Sequence, residues 1–338
     1  MKAFVLDRYG KDERLRLSDV PEPEPGDHDL LIRVHAASVN PLDSKIRDGE
    51  FKLILPYDLP LVMGNDVAGV VVRVGAKVER FKTGDEVYAR PGKDRIGTFA
   101  KFIAINEADV ALKPGNLTME EAASVPLVAL TAWQALVEVA GLKKGQKILI
   151  HAGSGGVGTL AIQLAKHLGA TVATTTSAAN IDMVKNLGAD IVVDYRKDDF
   201  EKRLAGYDVV LNSLGKDTLE KSVSVLRPGG KLISISGPPD ADFAKANGLG
   251  QVLQQGMRLL SLGIRSKAKR HGASYSFLFM RASGQQLGKI AELIEAGAIR
   301  PVIDRVFPFE QTNEALAYSE TGRAKGKIVI KVADGDRP

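Results

Sequence analysis

Apolar residues follow two different spacings along this chain, and the change of spacing divides it. In the first third, LLIRVHAASV (30–39) and VAGVVVRVGA (67–76) are runs of β-branched and apolar residues that predict strands, and FKTGDEVYA (81–89) closes a further turn. PEPEPGDHD (21–29) reads as a rigid polar connection between two such strands. MEEAASVPLVALTAWQALVEVAGL (119–142) is helix-forming, and strict alternation follows it. The strands KILIHA, TVATTT, ADIVVDY, YDVVLNSLG and GGKLISISG are separated mostly by helical segments. Short β-branched strands alternating with helices predict a parallel sheet covered on both faces. After SYSFLFM (274–280) come a helix, SGQQLGKIAELIEAGAI, then RPVIDRVF, a short helix and a last strand, KGKIVIKVA. There is no internal repeat and no low-complexity tract.

The segment HAGSGGVG (151–158) raises the first chemical question. Gly153, Gly155 and Gly158 fit G-x-G-x-x-G, with Ser154, Gly156 and Val157 completing the turn. The spacing alone is weak, but a strand precedes it, and a helix and a second strand follow. Val157, Leu160, Ala161, Leu164, Ala165 and Leu168 make one apolar stripe on that helix. Its N-terminus therefore directs unpaired N–H groups at the loop, where a pyrophosphate is held. A plain strand–turn–helix or a methyltransferase-type loop would share the spacing. The second strand then bears on the ligand. An NAD site and a methyltransferase both want an acid there for the ribose hydroxyls, and this chain has Thr174, Thr175, Thr176 and Ser177. Hydroxyl groups accept a 2′-phosphate that a carboxylate would repel, so NADP(H) is the expected cofactor.

Composition narrows the classes. The 338 residues are 44% hydrophobic and 26% charged, the balance of an ordinary globular protein with room for two cores. The net charge of +5 is small, and its one local concentration is RSKAKRH (265–271), expected as a solvated surface segment. No basic patch interleaved with aromatics argues for a nucleic-acid partner. Cysteine is absent, which removes thiolate nucleophiles and every cysteine-based metal site. MKAFVLDRYGKDE has no apolar core of secretory length, and no stretch approaches the roughly 20 apolar residues that cross a bilayer. A cytoplasmic protein with no membrane partner is therefore expected.

Several motifs in one order resemble a known family: HAASVNPLDSKIRDG (35–49), VMGNDVAGVVVRVG (62–75), FKTGDEVY (81–88), ASVPLVALTAWQAL (123–136), HAGSGGVG (151–158), LGADIVVDYR (187–196) and SYSFLFMRASGQQL (274–287). Over its whole length the chain resembles zinc-free medium-chain dehydrogenase/reductases of the quinone oxidoreductase and enone reductase branch. The resemblance implies an α/β fold: a Rossmann doubly wound parallel sheet (124–281) inserted into a GroES-like, mostly-β catalytic domain (1–123 and 282–338). Zinc-dependent relatives carry a cysteine and Gly-His-Glu where this chain has Asn40 and Gly64-Asn65-Asp66, and they also carry a four-cysteine lobe. No metal is expected.

What remains for a zinc-free site is hydride delivery to an electron-poor carbon, with donors for the oxygen on which charge grows. By resemblance the NPLDSK loop (40–45) faces the nicotinamide, which makes the Asn40 amide and the Lys45 ammonium candidate donors. A solvated loop lysine and a structural capping asparagine are the plainer readings of the same residues. Tyr57 and Phe51 adjoin this loop. The resemblance also assigns cofactor contacts to Thr131, Asn212, Ser213, Gly237 and Phe279, and 2′-phosphate contacts to Ser177, Tyr195 and Arg196. Several relatives have lysine at the position of Asn180, so Arg196 is the charge expected to substitute. The expected activity is NADPH-dependent reduction of an enone, enal or quinone by a homodimer pairing through SYSFLFM. The alternative is a catalytically weak NADPH-binding regulatory or assembly protein. The segment 240–260 is polar and glycine-broken, either a lid or a plain helix pair.

Overall fold

The computed structural model describes residues 1–333 except Asp12 and Leu53. The chain divides into two compact units, Met1–Leu130 with Arg281–Pro338, and Thr131–Met280.

The first unit is built on a seven-stranded sheet. Its long central strand, Asp29–Val39, pairs antiparallel with Asp66–Val74 on one side and Lys327–Lys331 on the other, and Phe102–Asn106 also pairs with it. Ile303–Pro308, Glu86–Ala89 and Val110–Leu112 complete the sheet. A smaller sheet joins Arg16–Asp19, Lys2–Leu6 and Leu61–Val62. The register sets Ile328 opposite Val39 and Ser38 opposite Asp66, so one end of the sheet gathers Asn40, Asp66 and Lys327. Each strand brings an apolar face, with Ile32, Val34, Val67, Val71, Val329 and Ile330 all buried.

The helix Pro41–Arg47 begins where it does for local reasons. Proline at the first helical position has no N–H to leave unpaired. The carboxylate of Asp43 accepts the Asn40 N–H at 2.7 Å, and the Asp43 N–H returns to the Asn40 carbonyl at 2.9 Å.

The second unit is a six-stranded sheet, parallel throughout, in the order Ile191–Asp194, Thr171–Thr176, Lys147–Ile150, Tyr207–Asn212, Leu226–Ser234, Ser274–Phe277. The first strand in the chain lies centrally and the winding reverses beside it, the doubly wound order that opens a crevice at the strands' carboxyl ends. Leu149, Val210 and Leu232 of adjacent strands pack with Tyr207, Leu219 and Ile264 into one core. The helix Gly156–His167 buries Leu160, Ala161, Leu164 and Ala165 of the expected stripe, and Ile162 beside it, while Val157 and Leu168 at the stripe's two ends are half-buried.

One stretch differs from the sequence reading in detail, and a second takes one of the two forms expected for it. The 119–142 segment is broken into Met119–Ala123, Pro126–Trp133 and a π-helical stretch, Gln134–Val139. Pro126 disfavours helical backbone at the residue before it, which explains the first break. At the far end Lys231 Nζ donates to the carbonyls of Val139 and Ala140 at 3.0 and 3.1 Å. The segment 240–260 forms two helices, Ala241–Ala246 and Gln251–Leu260, followed by a third, Leu262–Arg270.

Candidate functional site

The turn is packed so tightly at Gly153 and Gly158 that a side chain is excluded at either position. A Cβ on Gly158 would lie 2.3 Å from the Ala152 carbonyl oxygen, and one on Gly153 would lie 2.1 Å from Thr174 Oγ1. Ala152, just before the turn, has a left-handed φ of 51°, which a non-glycine residue adopts only when its surroundings enforce it. The enforcement comes from His151 and Thr175. Thr175 Oγ1 accepts the Ala152 N–H at 3.2 Å and lies 3.1 Å from His151 Nδ1. His151 Nε2 lies 2.9 Å from Ser222 Oγ, whose own proton goes to the Thr218 carbonyl at 2.6 Å. The chain of donors leaves one consistent assignment: Nε2 carries the hydrogen and Nδ1 accepts from Thr175. Burial holds the His151 pKa down to about 3, so the ring is neutral at physiological pH. His151 is thus a positioning residue for the turn, one that motif reading passes over.

Beyond the turn, the end of the second strand carries a cluster of hydroxyls and one amide. Thr176 Oγ1 bonds Ser154 Oγ at 3.0 Å, and Asn180 Nδ2 donates to Ser154 Oγ at 3.2 Å and to Ser177 Oγ at 3.4 Å. Tyr195 follows directly, its N–H on the Thr176 carbonyl at 3.2 Å. Its ring is exposed, with the exposed Arg196 guanidinium 5.8 Å from the centroid. Asn180, lacking the relatives' lysine charge, is drawn into this cluster, while its Oδ1 is buried without a partner among the described residues.

The neighbouring strand ends supply further polar groups. Asn212 Oδ1 accepts from Ser234 Oγ at 3.1 Å and Ser236 Oγ at 3.4 Å, yet its buried Nδ2 has no partner among the described residues. An unpaired buried donor at a strand's carboxyl end is what a ligand in the crevice would satisfy. Ser213 Oγ lies 3.5 Å from the His151 carbonyl. The Gly237 N–H donates to Ser234 Oγ at 2.8 Å. Phe279 is half-buried, 5.9 Å from the Phe243 ring, and Thr131 is buried in the helix Pro126–Trp133. The orphaned amide atoms and the close-packed Gly153 and Gly158 of the turn fit a dinucleotide.

In the first unit the geometry separates the three candidate residues by role. Asn40 is buried, its Nδ2 donating to Asp66 Oδ2 at 2.8 Å and its Oδ1 accepting from Lys327 Nζ. Lys327 also donates to Asp66 Oδ2 at 3.2 Å and to the Val39 carbonyl at 3.1 Å. The Asn40 amide is therefore fully committed, and the structure departs from the expectation that it serves a substrate oxygen. Asp66 further accepts from Ser38 Oγ at 2.8 Å and from the Leu127 N–H at 2.7 Å. Beside it, burial pushes the Asp43 carboxyl up to about 6, with the Asp66 charge adding, against hydrogen bonds from Asn65 and Asn40.

Lys45 projects from the same helix and is half-buried, its side chain 43% exposed. Its Nζ lies 3.7 Å from Glu50 Oε2 and 6.0 Å from the Phe51 ring centroid. The Tyr57 hydroxyl donates to the Lys93 carbonyl at 2.6 Å, and burial pushes its pKa up to about 12, so it keeps its proton. The helix that carries Lys45 is pinned from below by the buried Arg47, which bonds Glu320 at 2.8 Å, while Ser44 Oγ donates to the same carboxylate at 2.7 Å.

Comparison with known proteins now places this architecture. The pattern described as "Alcohol dehydrogenase GroES-like domain" matches residues 26–115, and that described as "Zinc-binding dehydrogenase" matches 187–330. The "NAD(P)H oxidoreductase RTN4IP1, mitochondrial" of Mus musculus is 37% identical over 98% of this chain and 89% of its own. The "NADPH-dependent alkenal/one oxidoreductase, chloroplastic" of Arabidopsis thaliana is 38% identical over 98% of this chain and 79% of its own. The quinone oxidoreductase from Coxiella burnetii superposes with a TM-score of 0.86 at 32% identity, covering 98% and 99% of the two chains. The chain belongs to the quinone and enone reductase branch of the medium-chain dehydrogenase/reductase family of oxidoreductases.

Membership in this reductase branch corrects one expectation. A cytoplasmic location was inferred from a missing apolar leader, but these family members are named mitochondrial and chloroplastic. The inference failed because organelle import does not require the apolar segment whose absence it used.

Proposed function

We propose that this chain is an NADPH-dependent reductase that delivers hydride, without zinc, to the activated C=C of α,β-unsaturated carbonyls or to quinones. The observation that carries the reading is the carboxylate-free cluster of Ser154, Thr176, Ser177 and Asn180 beside the glycine turn. It can donate several hydrogen bonds to a 2′-phosphate and has no carboxylate among its own members, while Asp194, opposite Thr176, is buried and accepts the Arg196 N–H. The cofactor is NADP(H), held by the Gly153–Gly158 turn, this cluster, Tyr195 and Arg196 at the adenosine end, and Thr131, Asn212, Gly237 and Phe279 at the nicotinamide end. The name of the plant relative supports the same cofactor and substrate class, and that of the mouse relative supports a nicotinamide cofactor.

Zinc independence is supported by the donor set. Asn40 and Asp66, where zinc-dependent relatives carry the cysteine and the glutamate of Gly-His-Glu, are bonded to the Lys327 ammonium. The resident cation there is a side chain, and a divalent metal would have to displace it against like charge.

When bound, NADPH supplies a hydride for the electron-poor carbon. The residues of this chain hold and polarise the acceptor. As negative charge grows on the carbonyl oxygen, the Lys45 ammonium stabilises it, and Tyr57 stays protonated and uncharged beside the loop. Asn40, Asp66 and Lys327 hold the helix that aims Lys45. Water supplies the proton that completes the product. The homodimer is proposed on the edge position of Ser274–Phe277, whose open side would otherwise be free to template aggregation.

The test is NADPH and, separately, NADH oxidation by chelator-treated protein against a vinyl ketone, a 2-alkenal and a naphthoquinone. Rapid, chelator-insensitive NADPH turnover is expected. Lys45→Ala should lower kcat about a hundredfold with cofactor affinity unchanged, because its charge matters only as the oxyanion forms. Tight NADPH binding with no turnover on any acceptor would overturn the reading in favour of a regulatory protein.

A further inference from the structure

An amphipathic helix in a folded protein ordinarily turns its apolar stripe inward. Gln251–Leu260 turns only part of its apolar surface inward, through Leu253 and Met257. Met257 is its one buried residue, while Val252, Leu259 and Leu260 are 85%, 70% and 67% exposed. Val252 and Leu259 are seven residues apart and so share a side, with the exposed Gln255 between them, while Leu253, Gln254 and Met257 turn inward. The next helix, Leu262–Arg270, anchors itself through Ile264 and Ala268 and exposes Leu262 at 53%. Leu262, Arg265 and Lys269 fall at 0, 3 and 7, one outward row in which an apolar residue leads into two cations.

The charge around this apolar ridge is one-sided. No aspartate or glutamate occurs from 243 to 291, whereas Arg258, Arg265, Lys267, Lys269 and Arg270 all lie on the two helices. Lys267 reaches Glu220 at 3.7 Å, and Arg258, Arg265, Lys269 and Arg270 are exposed. A second copy of this chain docking through the same face would bring two such cation sets together. An acidic, fluid, apolar surface would instead satisfy both features at once.

We propose that the outer face of these two helices is a docking surface for an anionic phospholipid bilayer. The four apolar side chains enter the headgroup–acyl boundary while Arg258, Arg265, Lys269 and Arg270 pair with lipid phosphates. No helix among the described residues is long and apolar enough to cross a membrane, and this contact lies in the membrane plane. The sequence-level expectation of no membrane partner rested on spanning segments alone. The proposal stands on this surface and not on the assigned reaction.

The experiment is co-sedimentation of the full chain with phosphatidylcholine vesicles, with and without about one third phosphatidylglycerol, over a salt titration. Binding to the anionic vesicles at low salt, at least about tenfold tighter than to neutral ones and lost at high salt, is expected. Arg265→Gln/Lys269→Gln should weaken it about fivefold per charge removed. Leu259→Gln/Leu262→Gln should weaken it about tenfold by removing the inserted area. Unchanged melting and NADPH oxidation certify that each pair of exposed substitutions leaves the protein folded. Equal binding to both vesicle types, or none to either, overturns the proposal. So does a wild-type dimer that Leu259→Gln/Leu262→Gln converts to monomer, because a second copy then covers the face.

Discussion

Acidification should loosen the cofactor turn through a single buried ring. His151 has a folded pKa of about 3 against an ordinary value of 6.5, because burial disfavours its charged form. The sign follows directly. Above pH 6.5 the ring is neutral in both states and contributes nothing to the pH dependence. Below it the unfolded chain takes up a proton that the folded chain refuses, so stability falls as pH falls toward 3. At about pH 5 the loss is about 2 kcal/mol, worth about 6 °C in melting temperature for a unit of this size. Other groups titrate in the same range, and His151→Gln isolates the effect. Glutamine cannot bond both Thr175 and Ser222 as the ring does, so the variant should be about 1–3 kcal/mol less stable near neutrality. Because glutamine does not titrate, that gap should close by about 2 kcal/mol at about pH 5. Denaturant unfolding of both proteins at the two pH values measures it, and NADPH titration should weaken in parallel as Ala152 loses its support. A gap of the same size at both pH values would refute the protonation argument.

Two further substitutions test the remaining parts. Lys327→Met should destabilise by about 3–5 kcal/mol, since it leaves the buried Asp66 uncompensated, and adding Asp66→Asn should recover part of that. A single variant with an unshifted denaturant midpoint would show that the pair is not the anchor. Asn180→Asp places a carboxylate among the Ser154, Thr176 and Ser177 hydroxyls. It should weaken NADPH binding more than about tenfold by fluorescence titration while leaving NADH nearly unchanged, and equal losses would place the 2′-phosphate elsewhere.

Features carried by near neighbours in the chain are legible in the amino-acid order itself. The change from β-branched runs to alternating strands and helices, the glycine turn with its amphipathic helix, and the hydroxyl-rich end of Thr171–Thr176 all express spacings of a few residues. Backbone sterics and one buried face suffice to interpret them. The break before Pro126 is equally local and follows from the proline.

What only the tertiary structure decided depends on distance along the chain. Lys327 and Asn40 are 287 positions apart, and strand register brings the ammonium to the amide oxygen while it brings Asp66, 26 positions from Asn40, to the amide nitrogen, which removes Asn40 from the donors open to a substrate. His151 sits inside a motif, yet its role comes from Ser222, 71 positions away, and from a burial that composition cannot express. The exposed ridge of Val252, Leu259, Leu260 and Leu262 has an amphipathic pattern that by itself predicts a buried stripe. Periodicity fixes which side of a helix is apolar, but only packing decides whether that side meets the core or the solvent.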